Sequence, residues 1–153
     1  MKTLTATLAL SALAPALAAC ATTGAAADPT HTGTPLIATL DGKAEVPGPG
    51  DANGTGEFSG WFDPAMGRIC YTLGVASLTN PTMAHIHRGA AGRSPPPVVT
   101  LSPPDDDNDS DDCDVVNDAV LDEIVANPAG FYVNVHTADH PNGAIRGQLM
   151  RMP

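Results

Sequence analysis

The sequence predicts an all-β fold, a Greek-key antiparallel β-sandwich with one short helix, and three observations carry that expectation. Fifteen Gly and fifteen Pro among 153 residues interrupt the chain too often for a helical bundle and suit strands joined by turns. Several short segments alternate apolar and polar residues with the period of a strand, most clearly from Arg68 to Val75. Only one segment, beginning near Asn117, carries apolar residues at helical spacing.

The elements follow in order. Leu36 to Leu40 alternates weakly and opens the domain as a strand, and Asp41-Gly42 marks a turn. Ala44-Glu45-Val46-Pro47 reads as a short extended piece, followed by a Gly/Pro loop from Gly48 to Asn53. Thr55 to Phe62 and Arg68 to Val75 are strands around the turn Asp63-Pro64-Ala65-Met66-Gly67, so Gly60-Trp61-Phe62 should pair with Ile69-Cys70-Tyr71. Within the second of them Ile69, Tyr71, Leu73 and Val75 share one face, and Cys70 and Thr72 the other. Thr82 to His87 is a strand, Gly89 to Pro96 a loop, Pro97 to Leu101 a strand and Ser102 to Asp114 a long acidic loop. Asn117 or Asp118 caps a helix whose apolar stripe is Ala119, Val120, Ile124 and Val125, and Asn127-Pro128-Ala129-Gly130 stops it. Phe131 to His136 is a strand with Phe131, Val133 and Val135 inward, and Ala144 to Met150 closes the domain. Roughly seven or eight short strands fit one sandwich.

The length allows one modest domain that needs some bracing. Aromatic residues make up 4% of the chain, so the core must lean on Val, Ile, Leu and Ala. A formal net charge of -10 argues against a nucleic-acid partner, which requires basic side chains to displace phosphate counterions. The same charge argues against electrostatic adhesion to anionic lipid and attracts cations. The chain has no Gly-x-Ser-x-Gly elbow, no phosphate loop and no Cys-x-x-Cys pair.

Residues 1–19 read as an export signal: Lys2 is the positive n-region, and Leu4 to Leu17 is an apolar h-region. That run falls short of the roughly 20 apolar residues of a membrane span. It ends in Leu17-Ala18-Ala19-Cys20, which resembles a bacterial lipobox, where the Cys thiol receives a diacylglyceryl group. The alternative is an ordinary signal peptide cut after Ala16-Leu17-Ala18. Ala21 follows Cys20 in place of Asp, which resembles default sorting to the outer membrane, so the expected address is an anchored envelope lipoprotein held to the membrane through Cys20. Residues 20–35, rich in Ala, Thr, Gly and Pro, read as a flexible tether. With Cys20 lipidated, Cys70 and Cys113 remain in an oxidising compartment and suggest one disulfide; two free thiols are the alternative.

Three segments together resemble the CHRD family, named for its occurrence in chordin. They are Leu40-Asp41-Gly42-Lys43-Ala44-Glu45-Val46-Pro47, then Ala84-His85-Ile86-His87-Arg88-Gly89-Ala90-Ala91-Gly92, then Tyr132-Val133-Asn134-Val135-His136-Thr137, running on through Pro141-Asn142-Gly143-Ala144-Ile145-Arg146-Gly147-Gln148-Leu149. The likeness spans the expected domain, residues 36–150. It implies an extracytoplasmic β-rich domain, widespread in bacteria and mostly without an assigned activity. In chordin the host protein binds growth factors, and nothing in these residues carries that role over.

His85-Ile86-His87, followed by a Gly-bearing loop, also resembles the copper-ligand strand of copper/zinc superoxide dismutases, which are Greek-key sandwiches like the immunoglobulin-type fold expected here. Strand alternation places His85 and His87 on one face, with Ala84 and Ile86 towards the core, and projects the imidazoles outward. His136 shares the outer face of its own strand with Tyr132 and Asn134. If the two strands are neighbours, three imidazoles converge, a donor set suited to copper or zinc with an open fourth place. His140 could supply or guard that place. The bland alternative is three structural histidines bonded to backbone and water. Gly89 to Pro97 holds no His or Asp, so the zinc subsite of the dismutases has no counterpart and any site would be mononuclear. Arg146 could steer an anion, although a salt bridge with a neighbour is the simpler role.

Asp105-Asp106-Asp107-Asn108-Asp109-Ser110-Asp111-Asp112 is the one low-complexity run. Asp107, Asp109 and Asp111 follow the spacing of calcium loops, with Asp118 further on, but the Gly expected after the third Asp is replaced by Asp112. A solvated, self-repelling loop is the plainer reading. The sequence thus predicts an envelope binding or structural module without assigned catalysis, or else a mononuclear copper protein that stores the metal or reacts with oxygen species.

Overall fold

The computed structural model describes residues 32–153, so the export segment, Cys20 and most of the tether lie outside the described residues. Nine strands form one antiparallel sheet: β1 (Thr34–Asp41), β2 (Thr55–Asp63), β3 (Arg68–Ala76), β4 (Pro81–Arg88), β5 (Pro97–Leu101), β6 (Asp109–Val115), β7 (Phe131–Thr137), β8 (Ile145–Gln148) and β9 (Met150–Arg151). One helix, α1 (Asp118–Ala126), lies between β6 and β7. The order across the sheet is β5-β4-β7-β8-β1-β2-β3-β6, with β9 pairing β1. The sheet curls so that its two halves bury one core, in which Leu36, Leu40, Phe58 and Leu73 from one half join Ile86, Val133 and Val135 from the other. Connections cross between the halves after β3, β5 and β6, as in a Greek-key sandwich.

Alternation decides the register. Phe58, Phe62, Ile69 and Leu73 face inward, and the β2–β3 hairpin pairs Gly60 with Tyr71, Trp61 with Cys70 and Phe62 with Ile69, as the turn at 63–67 requires. Cys70 stands directly opposite Cys113, and the two form the disulfide. The edges β5 and β6 are joined by side chains in place of a ladder: Ser110 Oγ donates to Ser102 O at 3.0 Å, and Ser102 Oγ to Asp112 Oδ2 at 2.7 Å.

Several expectations are corrected. The acidic segment is not all loop: residues 109–115 form β6, paired with β3 from Gly74↔Asp109 to Arg68↔Val115. Asp is disfavoured in strands, and here the ladder, the cross-strand disulfide and hydrogen bonds to the carboxylates override that preference. Exposed charge on such an edge also discourages pairing with another chain. The helical stripe is shifted, with Leu121 and Ile124 buried and Ala119 exposed; Asn117 is the cap, its side chain accepting from Ala119 N at 3.0 Å. The turn expected at Asp41-Gly42 is a 3-10 turn over residues 42–44, so it takes in Ala44 and the extended backbone starts at Glu45. The closing strand breaks at Leu149, whose side chain turns into the core. β1 starts at Thr34, slightly before the expected boundary, and the Thr32 hydroxyl donates to Asp63.

A candidate three-histidine metal centre

The centre sits on the outer face of β4, β7 and β8. Ala84 and Ile86 are fully buried in the core, which forces His85 and His87 to the opposite face, and Val133 and Val135 do the same for Tyr132, Asn134 and His136. Antiparallel pairing of β4 with β7 then places Met83 opposite His136, His85 opposite Asn134 and His87 opposite Tyr132. Arg146 on β8 stands opposite Asn134. The three imidazoles come together: a ligand nitrogen from each of His85, His87 and His136 lies within 4.8 Å of the others. A single ion held at ~2.0–2.1 Å from each nitrogen needs separations of at most ~4.2 Å, so a pair at the 4.8 Å limit would have to close by ~0.6 Å.

This face is not open to solvent as alternation alone implies. His87 and His136 are each 7% exposed, and Tyr132, Asn134 and Arg146 beside them are buried as well. The loop between β4 and β5 and the segment around Glu45 roof the face. Arg146 donates through Nη1 to Arg93 O at 2.8 Å and through Nη2 to Val46 O at 2.7 Å, tying both segments down.

Two backbone carbonyls set the imidazole tautomers. His87 Nδ1 lies 2.8 Å from Pro95 O, and His136 Nδ1 lies 3.1 Å from Pro141 O. A carbonyl only accepts, so each Nδ1 carries the proton and each Nε2 is left with its lone pair. His87 Nε2 is buried with no hydrogen-bond partner. His136 Nε2 meets His85 Nδ1 at 3.1 Å, so His85 donates in this arrangement. A buried nitrogen lone pair without a donor is costly in a purely structural cluster. It is what a metal ligand fixed by its other nitrogen presents.

Electrostatics keep the rings neutral. Burial pushes all three imidazoles below the ordinary histidine value. For His85 the neighbouring His136 and His87 add to the effect. For His87 the bond to Pro95 opposes it, while His136 and Arg146 reinforce it. For His136 the bond to Pro141 and the Glu45 carboxylate oppose burial, and Arg146 assists it.

A polar scaffold supports the cluster. The His87 ring stacks on Tyr132 with centroids 4.8 Å apart and planes within 4°, and the Arg146 guanidinium covers the same ring at 4.4 Å. Arg146 Nη2 pairs with Glu45 Oε2 at 2.7 Å, which gives Arg146 the salt-bridge role, with a loop carboxylate as its partner. Asn134 Nδ2 donates to Glu45 Oε1 and to Ile145 O. Gly143, at φ +134°, lets the backbone approach this carboxylate: a Cβ there would lie 2.5 Å from Glu45 Oε2.

His140 lies outside the trio, its Nε2 3.9 Å from Asp51 Oδ2 and its backbone bonded to Thr137. Asp109 and Asp111 lie along β6, and Asp107 sits in the turn before it, where its N–H donates to Asp105 Oδ1 at 2.8 Å. Asp118 opens α1. Among the described residues, the histidine trio is the group of three or more His, Cys, Asp or Glu side chains whose ligand atoms converge; these four carboxylates do not. Glu45, Tyr132 and the carbonyls of Pro95 and Pro141 had no assigned part in the sequence reading. One signal did point to Glu45 and Tyr132: Glu45 falls in the first of the three family-like segments, and the other two supply Tyr132 with the histidines, Asn134 and Arg146. The fold brings all three segments to one face.

No curated protein and no solved structure matches the chain. The family model for the CHRD domain matches residues 36–149, from the third residue of β1 to the end of the β8 segment, which includes the whole candidate centre. The chain therefore belongs to the CHRD domain family.

Proposed function

We propose that this CHRD domain is a binding module of the cell envelope whose ligand is one transition-metal ion, copper by preference, held by His85, His87 and His136. The observation that carries the reading is the pair of carbonyl-fixed tautomers, which leaves Nε2 of His87 and of His136 unprotonated in a cluster whose ligand atoms lie within 4.8 Å of one another, with the His87 one buried and unpartnered. Imidazole donors suit copper and zinc, and neutral rings bind without first losing a proton. Bound copper would supply storage of the metal or one-electron chemistry with small oxygen species. The protein's own residues hold the donors in place and roof them from water.

The reading includes the address. The segment ending in Leu17-Ala18-Ala19-Cys20 supports export and lipidation at Cys20, with the domain tethered at the outer membrane. Palmitate labelling of the native chain that disappears in Cys20→Ser is the expected result; equal labelling of both would remove the anchor.

A second reading, a structural or protein-binding CHRD module without metal, is favoured by one contact, the His85–His136 bond at 3.1 Å, which satisfies two of the three rings without an ion. Copper loading separates the two. The purified protein is given one equivalent of copper, in air or with ascorbate, freed of excess by gel filtration and assayed for metal. Stoichiometric copper that is lost in His85→Ala and in His136→Ala supports the metal centre. Copper retained equally by both variants, or by none of the proteins in either oxidation state, overturns it.

A further inference from the structure

Met83 is one of four large hydrophobic side chains left exposed among the described residues, at 44% of its surface, and it stands on the face that carries the histidines. It precedes His85 and His87 on β4 at the same alternation, Met83-x-His85-x-His87, and pairs across the ladder with His136. Side chains at directly opposed antiparallel positions have Cβ atoms ~4.5–5.5 Å apart, and those at i and i+2 on one face are adjacent. Met83 therefore borders two of the three ligands at the outer rim of the roofed pocket. We infer that the Met83 thioether is the fourth ligand of the centre and makes it selective for copper(I), an inference that rests on the three-histidine reading and deepens it.

Three physical arguments support this. Thioether sulfur is a soft donor that favours copper(I), whereas a site of imidazoles alone does not separate the oxidation states. The unbranched Met side chain, with its rotatable bonds, can turn from solvent onto an ion at the pocket mouth without moving the backbone. The three converging ligands include no anion, and Glu45, the carboxylate that acts on His136, is committed to Arg146 and Asn134. A roofed set of neutral donors beside a guanidinium pays less to hold a singly charged ion than a doubly charged one.

The test compares the native protein with Met83→Leu, a change of similar volume at an exposed position, by competition for copper(I) against a coloured copper(I) chelator and for copper(II) against glycine. The expected result is a loss of copper(I) affinity of at least ~10-fold in Met83→Leu with copper(II) affinity within about twofold of native, and a sulfur scatterer in the X-ray absorption spectrum of the native copper(I) form that Met83→Leu lacks. Equal copper(I) affinity in the two proteins, or a native spectrum without sulfur, overturns the Met83 assignment and leaves the histidine centre standing. A native protein that binds neither ion overturns both.

Discussion

Glu45 and Arg146, 101 positions apart in the chain, form a buried ion pair beside the histidine cluster, with Arg146 Nη2 2.7 Å from Glu45 Oε2 and Nε 2.8 Å from the same oxygen. The side chains are 1% and 3% exposed, so neither charge has water to fall back on. Glu45→Ala strands the guanidinium with carbonyl acceptors alone and removes an acceptor from Asn134. Breaking such a pair on one side costs about 3–5 kcal/mol, whereas replacing both partners with apolar residues costs much less. Urea unfolding should therefore show Glu45→Ala as more damaging than the double change Glu45→Leu with Arg146→Leu. A single variant within about 1 kcal/mol of native would mean that the pair is solvated in solution.

The three histidines should differ in what their loss does to the metal-free protein. His136 is buried and its Nδ1–H serves Pro141 O, so His136→Ala leaves a cavity and an unpaired carbonyl and should cost about 2–3 kcal/mol. His85 is only half-buried and serves no carbonyl, but it donates to His136 Nε2, so His85→Ala should cost about 1 kcal/mol, less than His136→Ala, while abolishing metal binding equally. Chemical denaturation of both variants without metal checks this. Equal destabilisation would assign the rings the same structural part and weaken the division between scaffold and mouth.

The disulfide should matter most at β6. It closes a separation of 43 residues, which corresponds to roughly 3–4 kcal/mol of unfolded-state entropy. β6 contributes almost no apolar side chain to the core, so its docking rests on its ladder with β3, on Cys70–Cys113 and on carboxylate bonds such as Tyr71 Oη to Asp114 Oδ2. Reduction should add two daltons to the mass and speed amide exchange in residues 109–115 well before the rest of the sheet. Uniform exchange across all strands after reduction would show that the ladder alone holds this edge.

What the sequence made legible divides along the same physical line. β2, β3, β4 and β7 send apolar side chains into the core at every second position, so period-two alternation marks them and even the pairing of β2 with β3 around the turn at 63–67. The placement of His85 with His87 follows from the same alternation, because Ala84 and Ile86 must go inward. β6 was illegible because Asp and Ser fill all but two of its positions, Cys113 and Val115, and a strand without an apolar side has no periodic signature; its ladder with β3, the disulfide and its carboxylate bonds hold it in the sheet. The roof over the histidines was illegible for another reason. Glu45 meets Arg146 through the adjacency of β1 and β8, a long-range register that no local pattern encodes, and outward therefore meant buried. The position of Met83 against His136 needed another such register, that of β4 on β7.

Tyr71 provides an alkaline test of the same β3–β5–β6 corner. Its hydroxyl accepts from Ser102 N at 2.7 Å and donates to Asp114 Oδ2 at 3.0 Å. Burial, with the Asp114 carboxylate adding to it, pushes its pKa up to about 12. In the unfolded chain a tyrosine ionises near ~10, so the folded state resists losing this proton. Its contribution to stability is therefore complete below about pH 10 and is lost as pH rises towards about 12. Tyr132 is raised as well, chiefly by burial, so neither tyrosine of the chain should ionise at the free value. Ultraviolet difference titration should show both phenolates appearing late and together with unfolding, and Tyr71→Phe should soften the alkaline loss without removing it. A tyrosine that titrates reversibly near ~10 with the fold intact would mean that its hydroxyl is open to water, and for Tyr71 that the bond to Asp114 is not made.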